Sequence, residues 1–303
     1  MNTESATTKT DGVHEPHGGR GRGEERGGRG DGTPRRFTVH HDGVTIPVTR
    51  GGRGRPLVLC PGLHTTQADL RELAGLLRRD HDVVTFDLRG HGLASAADRY
   101  SFEALLGDLG AVLAEVERLD PPEAPVLVGY SLGADLAVHH ASEHPGGVAE
   151  LVLLDGANPV PEPFVTEADL PFFRAMWQEQ AARQEAQRGT AHQVLLTAQE
   201  VIDLNTEIDE VRSTILDRYD RIDLPVSMVV STAMAGDRGG EHATRFNRNW
   251  RAGVARLVRA QPRIAVHRLD ADHQLVFTHA PEIARIIRGT RGTGGRAEPS
   301  HTP

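Results

Sequence analysis

Apolar residues in this chain fall into short unbroken runs separated by helical stripes. Pro56 to Cys60 (PLVLC), Asp82 to Phe86 (DVVTF), Val126 to Val128, Val148 to Leu154 (VAELVLL), Pro225 to Val230 (PVSMVV) and Arg263 to His267 read as strands without polar alternation. Helical spacing recurs over Ala68 to Leu77, with leucines at 70, 73, 76 and 77, and over Leu132 to about His144, His242 to Ala260 and Pro281 to Ile287. Ser101 to Leu119 is a further helix, with Ser101 as candidate N-cap and Leu105, Leu109, Val112, Leu113 and Val116 on one face. Strands apolar on both faces and separated by helices predict an α/β fold with a mostly parallel sheet covered on both sides. Ahead of it, Arg36 to His40 and Val44 to Thr49 flank Asp42-Gly43, a hairpin signal.

The alternation lapses between Gly156 and Ile222. That stretch shows only helical segments: one from near Thr166, one over Ala191 to Leu204 and one over Thr206 to Tyr219. A helical insertion between two late strands can lie over the carboxyl edge of the sheet, where ligands bind in open α/β folds. The expected organisation is a disordered Arg/Gly-rich tail over 1–36, a core of 37–155 and 223–288, a helical cap over 156–222, and a second tail over 289–303.

Composition supports the tails, since neither end has enough large apolar residues to offset the entropy of ordering. The first carries RGRG and RGGRGDG, yet its seven Lys/Arg nearly balance six Asp/Glu and it has no aromatic residue. With a net charge of −8, the chain is not expected to bind nucleic acid. Cys60 is the single cysteine, which fits a reducing compartment. No apolar stretch reads as a leader or a membrane span, so a cytoplasmic protein without membrane contact is expected. The oligomeric state is not legible.

The candidate chemistry begins at GYSLGAD, Gly129 to Asp135. A serine between two glycines, after a strand and before a helix, suits a sharp turn that projects the hydroxyl from the sheet edge. Serine needs a base, and His273 follows the last strand on a loop at that same edge. An oxyanion needs N–H donors, for which Leu132 and Leu63 are the candidates. Asp87 to Gly92 (DLRGHG) reads as a structural turn whose Asp and Arg pair locally. His139, His140 and His144 share a helix, but no third ligand is evident, and neither a metal nor a cofactor is expected.

These motifs together resemble the α/β-hydrolase fold superfamily: PGLH at Pro61 to His64, DLRGHG, GYSLG, and ADHQLVFTHAPE from Ala271 to Glu282. The likeness covers about Phe37 to Arg288. It implies a Ser–acid–His order in the chain and identifies 156–222 as a cap. It also implies a carboxylate soon after PVSMVV, for which Asp237 is the first choice; Asp155 is the second and Glu241 a distant third. The expected function is a serine hydrolase acting through an acyl-enzyme on Ser131. Its small-molecule substrate would be a carboxylic ester, lactone or thioester, contacted by His64, Tyr130, Phe172, Phe173, Met176 and Trp177. The aromatic residues concentrated at the start of the insertion either hold the cap onto the body or roof an apolar pocket, and the second reading implies a hydrophobic substrate. Rival readings are a lyase, acyltransferase or C–C bond hydrolase using the same pair, or a non-catalytic ligand sensor.

Overall fold

A computed structural model describes residues 34–237 and 240–290. The tails read from the sequence over 1–33 and 291–303 lie outside the described residues. Arg35 and Arg36, assigned above to the first tail, belong instead to strand β1 (Arg35–His41), and Gly289 ends the last helix rather than opening the second tail.

The remaining strands are β2 (Val44–Gly52), β3 (Arg55–Cys60), β4 (His81–Phe86), β5 (Val126–Tyr130), β6 (Glu150–Leu154), β7 (Val226–Ser231) and β8 (Ala265–Leu269). They form one eight-stranded sheet in the order β1-β2-β4-β3-β5-β6-β7-β8. The hairpin β1–β2 pairs antiparallel, as does β2 with β4; from β4 through β8 every pairing is parallel.

Helices cover both faces. Helix α1 (Arg71–Leu77) with α8 (Leu275–Thr278) and α9 (Ala280–Gly289) buries one core, including Leu57, Leu73, Val152 and Ile283. Helices α2 (Phe102–Arg118) and α3 (Leu132–Glu143) lie over the other face, and Leu105, Leu109, Val112 and Val116 project inward from α2. Ser101 caps α2 by accepting from the Ala104 N–H at 3.3 Å. The long α7 (Gly240–Ala260) links β7 to β8.

Between β6 and β7 the chain inserts α4 (Leu170–Glu185), α5 (Ala198–Ser213) and α6 (Ile215–Tyr219). The helix read over Ala191 to Leu204 forms only from Ala198, because Val194 bridges to His91 and the Leu195 N–H donates to the Gly90 carbonyl. Thr197 and Glu200 then close a reciprocal capping box, and α5 runs past the expected break to Ser213. Helix α1 likewise starts three residues late. Asp69 draws the Thr66 N–H and hydroxyl into a side-chain turn that competes with the helix.

Candidate active site

Strand β5 ends at Tyr130, and Ser131 follows with φ 52° and ψ −122°, a conformation that costs an L-residue energy. The flanking glycines permit it through closeness of backbone. A Cβ on Gly129 would meet the Gly133 carbonyl oxygen at 2.3 Å, and one on Gly133 would meet the Cys60 oxygen at 2.5 Å. Ser131 thereby becomes the residue before α3, with its hydroxyl outside the helix and the first helical N–H groups beneath it.

His273 lies between β8 and α8. Its Nε2 is 2.9 Å from Ser131 Oγ, and its Nδ1 is 2.8 Å from Asp155 Oδ2. A carboxylate only accepts, so Nδ1–H donates to Asp155 and Nε2 is left to accept from the serine hydroxyl. Asp155 is fully buried, directly after β6, and Ser231 at the end of β7 donates to it through its N–H at 2.7 Å and its hydroxyl at 2.9 Å. These bonds fix the carboxylate's orientation. The Tyr130 hydroxyl donates to the His273 carbonyl at 2.7 Å, which ties the histidine loop to β5.

Two sequence expectations change here. Asp237, the first choice for the acid, is exposed and has no bond to His273; the carboxylate on the imidazole is Asp155. The physical reason is reach. After β7 the chain turns so that the Met234 carbonyl, not an acid, meets the His273 N–H at 3.1 Å, and Asp237 lies beyond that turn. The DLRGHG pairing is also different. Asp87 accepts from Gln67 and the Leu93 N–H, while Arg89 forks onto Asp108 at 2.7 and 2.8 Å. His91 in that turn is buried; burial pushes its pKa down to about 4, partly offset by the Arg89 carbonyl that its Nδ1–H faces at 2.9 Å. Its Nε2 accepts the His64 N–H at 3.3 Å, so a neutral imidazole holds the loop that carries Leu63.

A cavity of about 470 Å³ opens over Ser131 and His273. Leu63 and Leu132 reach it from the core, and Phe164, Phe172, Phe173, Met176 and Trp177 wall it from the insertion. Phe173 stacks on Trp177 with ring centroids 4.7 Å apart. His64 and Tyr130, expected at the substrate, do not line this cavity: Tyr130 is buried in the sheet, and His64 faces a separate groove with Asp69 and His192. Sequence reasoning missed Phe246 and Trp250 of α7, whose long amphipathic stripe was the available signal. It also missed Asn205, Asp209 and Arg212 of α5, all of which line the cavity. The His140 and His144 rings lie tilted with centroids 4.4 Å apart, and among the described residues no third ligand joins them. Among the described residues no helix is long and apolar enough to cross a membrane.

A family model described as the alpha/beta hydrolase fold matches residues 55–253. The sn-1-specific diacylglycerol lipase ABHD11 of Xenopus laevis is 29% identical over 143 residues, 46% of this chain and 44% of that protein. The N-formylmaleamate deformylase of Pseudomonas putida is 33% identical over 107 residues, 35% of this chain and 38% of that protein. The chain therefore spans less than half the length of these curated relatives. Among solved structures, Est816, an N-acyl homoserine lactone degrading enzyme, superposes with a TM-score of 0.63 at 22% identity, covering 84% of this chain and 99% of that one. At that identity the likeness shows the fold alone. The sheet, the strained serine and the matched family model agree: this chain belongs to the α/β-hydrolase fold family.

Proposed function

We propose that the protein is a serine hydrolase that cleaves a small, largely hydrophobic carboxylic ester, lactone or thioester. The observation that carries this reading is the bonded chain Ser131 Oγ–His273 Nε2 and His273 Nδ1–Asp155 Oδ2, opening into an aromatic-walled cavity. Ser131 attacks the substrate carbonyl while His273 takes its proton, and Asp155 stabilises the imidazolium and holds its tautomer. The N–H groups of Leu132, first in α3, and Leu63 receive the oxyanion. His273 next protonates the leaving group, then activates a water that releases the acyl group from Ser131. The inserted helices act as the cap that excludes bulk water and selects the acyl chain. The lone buried thiol, Cys60, fits a reducing compartment such as the cytoplasm.

The test is labelling of the purified protein with a fluorophosphonate, with Ser131→Ala as control. Stoichiometric labelling confined to Ser131, together with turnover of p-nitrophenyl esters, supports the reading. Folded protein that neither labels nor turns over these esters refutes it.

A further inference from the structure

Helix α5 turns an unusual face inward. Asn205, Asp209 and Arg212 are spaced i, i+4 and i+7, so they form one stripe, and all three line the cavity otherwise walled by Phe164, Phe173, Met176, Trp177 and Phe246. A polar stripe aimed at an aromatic cavity is costly to fold unless each group finds a partner. The protein satisfies these groups only in part. Arg212 donates from Nε and Nη2 to the Asp135 carboxylate at 3.0 and 2.7 Å, a fork that leaves Nη1 outside the pair on a residue that lines the cavity. Asp209 accepts the backbone N–H of Val165 at 2.9 Å, which leaves lone pairs on its carboxylate. Asn205 donates to the Val201 carbonyl at 2.8 Å, and its own amide oxygen makes no bond.

We propose that this stripe is a subsite for an uncharged group carrying both a hydrogen-bond acceptor and a donor, of the carboxamide class, on the acyl chain of the substrate. The inference rests on the hydrolase reading and deepens it. A carbonyl oxygen meets the open N–H edge of Arg212, and an amide N–H meets Asp209 or the Asn205 oxygen, so donor and acceptor are matched in one group. Ser131 and Arg212 line the same cavity, and Asp135, which holds Arg212, sits on the first turn of α3 directly after Ser131. A short acyl chain on Ser131 therefore points its far end into the space that Arg212 lines.

Charge decides against an anionic group. The titratable residues facing the cavity are Asp155, Asp209, Arg212, His242 and His273, with Asp135 directly behind Arg212. Three carboxylates thus oppose one permanent cation. Burial opposes the charge of Arg212, but Asp135, with Asp209 and Asp155 nearby, outweighs it and keeps the guanidinium charged. Burial also raises the pKa of Asp209, a sign that this end of the cavity already resists negative charge. A further carboxylate adds to that burden, and an amide does not.

The experiment uses full-length protein carrying Ser131→Ala, so binding is read without turnover. Three methyl esters of one short acyl length, ending in carboxamide, carboxylate or isopropyl, are titrated by calorimetry. The carboxamide ester is expected to bind about tenfold more tightly than either isostere. Adding Asp209→Asn, which keeps an oxygen for the Val165 N–H, is expected to bring the carboxamide-to-carboxylate ratio close to one. A thermal melt of each variant confirms that it is folded. Equal binding of the three probes, preference for the carboxylate, no measurable binding of the carboxamide at millimolar concentration, or a preference that Asp209→Asn leaves intact overturns the proposal. Failure of the hydrolase reading is seen separately, as missing fluorophosphonate labelling of Ser131 in the unsubstituted protein.

Discussion

Asp155 and Ser131 both take left-handed backbone conformations, with φ of 48° and 52°, at the ends of adjacent parallel strands. Such conformations cost on the order of 1–3 kcal/mol each in an L-residue and persist where the surroundings over-determine them. Here they turn two neighbouring side chains outward toward one imidazole. Replacing Asp155 with Asn is expected to lower kcat about 10⁴-fold with little change in KM, because the imidazole loses its tautomer and its countercharge. Steady-state kinetics on a p-nitrophenyl ester measure this, and Asp237→Asn measured alongside should match the unsubstituted protein. Ser131 and His273 were readable in the sequence because strand, glycines and helix surround the one, and a post-strand loop the other. The acid was not. Whether a carboxylate reaches the imidazole depends on the turn after β7 and on the Ser231 bonds, and no local pattern encodes either. The stripe of Asn205, Asp209 and Arg212 was equally hidden, since its inward direction is set by what α5 packs against.

Among the elements, α5 shows how local chemistry sets a boundary. Hydrophobic spacing alone put a break near Asn205, whereas the Thr197–Glu200 capping box and the bridge at Val194 start the helix late and carry it further. Thr197→Ala is expected to cost about 1 kcal/mol, visible as a drop of roughly 2–4 °C in a thermal melt. Helix α4 meets the cavity through Phe173 and Trp177, both 7% exposed, and their stacked rings present an apolar wall to the acyl chain. Trp177→Ala is expected to raise KM for bulky esters roughly tenfold while kcat for a short ester changes little, as loss of uniform binding requires. Unaltered KM across a chain-length series would show that α4 only packs and does not select. The strands β3 to β7 were legible to within two residues because each is a short run buried on both faces, whereas β2 alternates and runs three residues past its expected end at Thr49. Helix starts were less so, since side-chain turns such as that of Asp69 compete at them.

For the molecule as a whole, several ties hold the insertion against the core. Arg212 reaches Asp135 on α3, Glu207 accepts the first N–H of α2 at 2.7 Å, and Gly92 donates to the Gln193 carbonyl at 2.8 Å. The last of these runs through the turn that holds His91, so acid should act on the assembly there. Burial lowers the His91 pKa from 6.5 to about 4. Between those values the unfolded chain takes up a proton that the folded one refuses, so stability is intact above about pH 6.5 and falls as pH drops toward 4. The loss from this residue is on the order of 3 kcal/mol. Urea unfolding at a series of pH values checks the slope, and His91→Gln should flatten it. A slope the substitution leaves unchanged would move the acid sensitivity to other groups, such as His140, whose pKa burial also lowers to about 4.

Because Ser131 and Asp155 precede the inserted helices and His273 follows them, the whole span from Gly156 to Ile222 contains none of the three hydrogen-bonded side chains. On the hydrolase reading proposed above, helices exchanged between relatives would leave nucleophile, base and acid seated on their own strands, provided the graft keeps its ties to α2, α3 and the His91 turn. What would travel with the graft is the choice of molecule admitted.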